Sequence, residues 1–288
     1  MKPAPFDYVA AGSLAEAVAA LDQAGEDAKV LAGGQSLVPM LNMRLARPAV
    51  LVDINRAREL DYIREVDGAV RIGATTRQRA LERWAASRLP LVAEALRCVG
   101  HAAIRNRGTA VGSLAHADPA SELPALLLCL DGGLVVRSAR GERTIPAAEL
   151  YVAPLTTSLA PGEVAVEARL ARPPEDAGWG FAEVARRHGD FALVGSAAIL
   201  RLDASARVAL ARLAFFGVGG TPARGAAAEA ALTGQLPTPA LIADAARAAA
   251  AALRPDDDLH ATADYRRRVA AVLAERTLGA ALARCARA

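Results

Sequence analysis

Apolar residues Leu14, Val18 and Leu21 recur at helical spacing just after Ser13, and Glu16 stands three residues beyond that serine. A hydroxyl and a carboxylate so placed cap a helix start, because each takes up a backbone N–H that the helix leaves free. The spacing predicts a helix that stops near Gly25. Residues 29–31 and 50–54 are short apolar runs, the second rich in β-branched side chains, so both are expected as strands. Together they predict a small β-α-β unit. Residues 62–66 and 69–73 flank Asp67-Gly68, a tight-turn pair, and read as a β-hairpin. Thr76 is expected to cap a helix running through Trp84, and Pro90 to open another over residues 91–99. A buried helix over 124–130, a second hairpin over 133–143 and a closing strand over 163–170 follow.

Arg172-Pro173-Pro174 marks a stiff boundary. Beyond it the pattern changes to two long apolar strands, 191–202 and 208–217. Helices are expected over 223–235 and 240–253, with a long final one over 265–283. No repeat of solenoid period is present. The expectation is an α+β chain of three segments, 1–55, 56–172 and 173–288.

Composition narrows the function classes. Of 288 residues 53% are hydrophobic, enough for a substantial core, and the net charge is only +3. No Lys/Arg stripe interleaved with aromatics is present, which argues against nucleic-acid binding. Arg266, Arg267 and Arg268 read as a solvated helix face. Pro3, Pro5 and Asp7 interrupt any signal-peptide pattern, and no apolar run is long enough for a transmembrane segment. Cys98, Cys129 and Cys285 are scattered with no C-x-x-C pair, so neither a metal site nor a disulfide framework is expected. A cytoplasmic protein fits this usage.

Two glycine-bearing loops carry the strongest chemical signal. One is Ala32-Gly33-Gly34-Gln35-Ser36 and the other is Gly108-Thr109-Ala110-Val111-Gly112-Ser113. Glycine has no Cβ, so backbone N–H groups there can approach an anion closely. Ser36, Thr109 and Ser113 add hydroxyl groups. Either loop alone reads equally well as a turn; two converging loops would make a diphosphate cradle. Neither matches the dinucleotide fingerprint of a Rossmann unit or a P-loop.

Other residues keep two readings each. Glu122 is either an acceptor for ribose hydroxyls or a charge at a helix N-terminus. Asp118, before Pro119, is a turn residue or a second such acceptor. His116 and His101 are the histidines nearest the second loop, but neither has a partner at triad spacing. The polar run Arg186-Arg187-His188-Gly189-Asp190 is a surface turn or the edge of a cofactor or partner site.

In order along the chain, several segments match one family: Ala32-Gly33-Gly34-Gln35-Ser36-Leu37, Val52-Asp53-Ile54, Ile72-Gly73-Ala74-Thr75-Thr76, Ile104-Arg105-Asn106-Arg107-Gly108-Thr109 and Ala115-His116-Ala117-Asp118-Pro119-Ala120. Further matches are Glu183-Val184-Ala185-Arg186-Arg187, Gly189-Asp190-Phe191-Ala192, Gly219-Gly220 and Tyr265-Arg266. With these the chain resembles the FAD-binding medium subunit of molybdenum hydroxylases, the group containing carbon monoxide dehydrogenase and the flavin domain of xanthine dehydrogenase. The resemblance implies a two-part FAD-binding fold of the vanillyl-alcohol oxidase type in the first two segments, with a C-terminal α+β domain covering the flavin. It implies that Val30, Leu31, Ala32, Gly33, Gly34, Gln35, Ser36 and Leu37 form the first pyrophosphate loop. Thr109, Val111, Gly112 and Ser113 form the second, Glu122 falls near the ribose, and Val99 and Ala165 flank the ring system. The family often has two adjacent glycines where this chain has Val111-Gly112, so the Val111 Cβ is expected to stand where backbone approaches the phosphates.

The resemblance further implies a small [2Fe-2S] subunit and a large molybdopterin subunit as partners, in a dimer of heterotrimers. Electrons would pass from the iron–sulfur clusters through FAD to an external acceptor. No catalytic residue is assigned to this chain, because a bound flavin supplies the chemistry. A self-sufficient flavin oxidase of the same fold is the alternative, with His116 or His101 as its base. A binding or scaffold subunit that has lost its cofactor is the third reading.

Overall fold

The computed structural model describes residues 2–285. The first segment runs β1 (Asp7–Ala10), α1 (Leu14–Ala24), β2 (Ala28–Leu31), α2 (Leu37–Asn42) and β3 (Val50–Asp53). Its three strands form a parallel sheet in the order β1-β3-β2. Ser13 caps α1 through its Oγ, which accepts the Glu16 N–H at 3.2 Å, and Gly25 ends the helix at φ 62°. The Glu16 carboxylate accepts the N–H of Gly12, one residue before the cap, at 2.8 Å.

The second segment opens with the hairpin β4 (Ile63–Val66) and β5 (Ala69–Gly73). Five helices follow: α3 (Gln78–Arg88), α4 (Pro90–Cys98), α5 (Ala102–Arg105), α6 (Ala110–His116) and α7 (Glu122–Cys129). Then come β6 (Gly133–Ser138), β7 (Gly141–Pro146), α8 (Ala147–Leu150), the small ladder of β8 (Tyr151–Ala153) and β9 (Thr156–Thr157), and β10 (Val164–Ala171). The sheet order β4-β5-β10-β6-β7 places the closing strand between the two hairpins, all antiparallel. Thr76 does not cap α3. Its Oγ1 donates to the Tyr62 carbonyl at 2.8 Å, Arg77 bridges to Thr109, and the helix starts only at Gln78.

The third segment is an antiparallel sheet of β11 (Gly178–Ala185), β12 (Ala192–Leu202), β13 (Val208–Phe216) and β14 (Ala223–Arg224), followed by α9 (Ala226–Leu232), α10 (Pro239–Ala252) and α11 (Ala263–Arg284). Where the sequence predicts one helix over 223–235, Ala223 and Arg224 instead extend the sheet beside β13. Glu229 stabilises that corner by accepting from the Leu213 N–H and the Arg224 guanidinium. Strands β1 and β11 are additions to the sequence reading.

Side chains of β12 and β13 alternate between two cores, as a period of two requires. Val194, Ala198, Leu200, Leu213 and Phe215 face α9, α10 and α11. Ala197, Ile199, Ala214 and Phe216 join the core of the first two segments. Helix α7 is buried along its whole length, packed against α4 and α6 of its own segment and against β12 and β13.

Candidate functional site

The first glycine loop is the turn from β2 into α2. Gly34 holds φ at +73°, a left-handed conformation that costs glycine nothing and other residues about 1 kcal/mol. Its carbonyl accepts the Val38 N–H at 3.0 Å. Among the described residues, the backbone N–H groups of residues 33–37 donate to no protein acceptor. Consecutive unclaimed donors on a turn make a concavity for an anion.

The second glycine loop leads into α6. Thr109 is buried and caps that helix, its Oγ1 accepting the Gly112 N–H at 3.1 Å. The threonine hydroxyl therefore serves the helix start. Ser113 and Ser121 share a hydrogen bond at 3.0 Å between hydroxyls. Val111 is only 2% exposed, its side chain packed in the core of the first two segments.

The two loops touch. A Cβ added to Gly33 would lie 2.5 Å from the Arg107 carbonyl oxygen, 2.7 Å from Gly108 Cα and 2.9 Å from Thr109 N. Only a glycine at position 33 permits this approach of backbone to backbone. The convergence on which the diphosphate reading depends is thus present.

Glu122 opens α7 and is buried. Burial, followed by the charges of Glu183 and Asp118, pushes its carboxyl up to about 8. Glu183, on β11, is raised to about 7 by burial. Its Oε2 is buried without a partner. The Cys98 thiol, beside Glu183, is pushed up to about 12, chiefly by burial and then by Glu183 and Glu122. One buried acid, one half-buried acid and an orphaned oxygen near the end of α4 suit the hydroxyl and N–H groups of a nucleotide, which would supply the missing donors. Sequence reading missed the pairing of Glu183 with Cys98, because the two come from different segments.

Val99 follows α4 directly, and its carbonyl accepts from Arg105 at 2.9 Å. Ala165 lies on β10 opposite Val136, and α6 packs on that strand. Gly189 comes within reach of Gly100 and His101, where an added Cβ would lie 3.1 Å from the imidazole. The 186–190 turn therefore closes over the residues after Val99. It also lines a cavity of about 660 Å³ with Asp118, Gly220 and Arg266, the last of which is buried and bonded to Gly217 and Asp258 rather than standing on the solvated helix face expected of it. Phe191, 72% exposed, stands at the same cavity. Among the described residues, neither His116 nor His101 has a side-chain hydrogen bond or ion pair from which a base could be built, and no cluster of His, Cys, Asp or Glu could hold a metal.

An extended dinucleotide fits these features: unclaimed donors for the pyrophosphate, acids for hydroxyls, and an open cavity bordered by the third segment. Residues 4–171 match the FAD binding domain in molybdopterin dehydrogenase, and residues 179–281 match the CO dehydrogenase flavoprotein C-terminal domain. The alpha subunit of the 6-hydroxypseudooxynicotine dehydrogenase complex of Paenarthrobacter nicotinovorans is 45% identical over 286 residues, 99% of this chain and 97% of that one. The beta subunit of caffeine dehydrogenase of Pseudomonas sp. (strain CBB1) is 38% identical over 284 residues, 98% of this chain and 96% of that one. Among solved structures, carbon monoxide dehydrogenase of Hydrogenophaga pseudoflava superposes with a TM-score of 0.96 at 41% identity, over 99% of this chain and 100% of that chain. The chain belongs to the FAD-binding flavoprotein subunits of the molybdenum hydroxylases.

Proposed function

We propose that this chain is the electron outlet of its complex. A small [2Fe-2S] subunit delivers electrons to it, and a large molybdopterin subunit binds and oxidises the substrate, the three assembling as a dimer of heterotrimers in the cytoplasm. FAD, when bound, would supply the redox chemistry that links the partner's clusters to an external acceptor.

The chain's own residues bind and orient. Residues 1–55 and 56–172 hold the cofactor between them, and 173–288 covers it. Backbone N–H groups from Gly33 to Leu37 take the pyrophosphate, with Val30, Leu31 and Ala32 leading into that turn. Thr109, Gly112 and Ser113 form the facing wall, where Val111 contributes backbone and anchors α6 in the core. Glu122 accepts ribose hydroxyls, and Val99 and Ala165 flank the rings. The observation that carries this reading is the row of unclaimed N–H groups beside the backbone contact of Gly33 with Gly108.

The similar subunits serve complexes named for carbon monoxide, caffeine and 6-hydroxypseudooxynicotine, substrates with little chemistry in common. A flavin subunit that never touches substrate suits such a set. The FAD-loaded chain alone is expected to accept electrons from dithionite and to reoxidise with an acceptor. It should show substrate-dependent flavin bleaching only after both partner subunits are added. Rapid bleaching by a small organic substrate with the chain alone overturns this reading in favour of a self-sufficient oxidase.

A further inference from the structure

Asn55 and Arg77 lie on neither glycine loop, yet together they join both. Asn55 follows β3, and its Nδ2 donates to the Ala32 carbonyl at 2.7 Å. Its Oδ1 accepts from Arg77 Nη2 at 2.7 Å. The other terminal nitrogen of Arg77 donates to the Arg107 carbonyl, also at 2.7 Å. That carbonyl is the atom that stands closest to a Cβ at Gly33. The bridge is braced at both ends. Asp53 Oδ1 accepts the Asn55 N–H at 2.8 Å, and the backbone of Arg77 is pinned by its ladder bridge to Thr109.

We propose that Asn55 and Arg77 form a latch that fixes the spacing and facing of the two glycine loops, and so positions the donors that receive the FAD pyrophosphate. In a planar trans peptide the C=O and the following N–H point opposite ways. Turning the Ala32 carbonyl toward Asn55 therefore directs the Gly33 N–H away from Asn55. Arg77 brings a second asset. Among the described residues no carboxylate lies within ion-pair distance of its guanidinium, and Asp53 and Asp61 act on it only at longer range, so its charge favours an anion held between the loops. Both side chains act through other groups and are positioning residues.

The inference rests on the two loops being the pyrophosphate cradle, and one titration series separates the two ideas. FAD is titrated into the full chain, stripped of flavin, by quenching of flavin fluorescence, with the melting temperature of the stripped protein recorded for each variant. Asn55→Ala and Arg77→Ala should each weaken FAD binding by about tenfold or more, because each removes two hydrogen bonds of the bridge beside a charged ligand. The double variant should lose little more than the worse single, because breaking either half opens the same bridge. Arg77→Lys, which keeps the charge but not the fork, should recover part of the loss. Asn55→Asp keeps the contact with Arg77 but loses the donor to Ala32, and should bind weakly even if the alanine variants do not fold. Lower melting temperatures with wild-type affinity overturn the latch, and so do strictly additive losses. If Gly33→Val binds FAD normally, the cradle itself is wrong. If Gly33→Val fails to bind while the Asn55 and Arg77 variants bind normally, only the latch falls.

Discussion

Replacing Gly33 with alanine adds one methyl group at the closest point between the two loops. That Cβ would sit 2.5 Å from the Arg107 carbonyl oxygen, about 0.9 Å short of the 3.4 Å at which ordinary contact begins. The obstructing atoms are all backbone, Arg107 O, Gly108 Cα and Thr109 N, so no side chain can swing aside. The loops must part. Overpacking of this kind costs about 1–3 kcal/mol. The flavin-free protein relieves it by opening the cradle, and FAD must close the cradle again to bind. The cost therefore appears in affinity, as a dissociation constant roughly five- to 150-fold higher. Gly34→Ala is the internal comparison. It carries a left-handed φ of +73°, but its Cβ meets only the side chains of Val38 and Leu31, at 3.1 and 3.2 Å, which can shift. Its loss should be smaller. Fluorescence titration of the two stripped variants beside the wild type decides the matter. Equal affinity in Gly33→Ala and wild type, or a larger loss in Gly34→Ala, refutes the reasoning.

Glu122 is held largely protonated in the folded, flavin-free chain, with a pKa near 8 against an ordinary value of 4.5. A raised folded value means stability present below about pH 4.5 and lost as pH rises toward 8. Glu122→Gln should therefore melt higher than wild type at pH 8.5 and nearly match it at pH 5; an equal difference at both pH values contradicts this. Val111→Gly empties a buried position inside a helix and should cost about 3 kcal/mol in chemical denaturation without improving FAD binding. Tighter FAD binding at unchanged stability would show that the valine does obstruct the cradle. Gly112→Val sets a Cβ 2.5 Å from Thr109 Oγ1 and displaces the α6 cap. It should weaken FAD less than Gly33→Ala, since a hydroxyl can turn and a carbonyl cannot; the reverse order in titration would misplace the second loop.

Local signals were legible and distant ones were not. The helix behind Ser13 was readable because its cap and its stop, Gly25, lie within a dozen residues. The two loops that meet at Gly33 were readable because glycine and hydroxyl residues recur in two short stretches. Strand β11 was hidden by Gly178 and Gly180, which count against a strand in any short window. Their reason lies about a hundred residues away. A Cβ on Gly178 would fall 1.8 Å from the Ala281 carbonyl and one on Gly180 2.1 Å from that of Thr277, because α11 presses directly onto the strand. Asn55 and Arg77 gave no signal for the same reason, since each partner of the bridge lies 22 to 30 residues off. For Val111 the motif fixed the position but not the direction of the side chain, which depends on α6 beginning at Ala110.

The buried helix α7 bears on how this polypeptide can be cut and made. The two matched regions, 4–171 and 179–281, invite expression as separate pieces. Yet the apolar surface of α7 is closed partly by Ala197, Ile199, Ala214 and Phe216, which arrive with β12 and β13. A fragment ending at 171 leaves that surface wet and prone to clump. On the ribosome the same helix waits uncovered until residue 216 has emerged, a natural moment for chaperone capture. Chimeras that exchange the C-terminal part between relatives must carry a matching relief on that face of β12 and β13, whatever the junction chosen near Pro173.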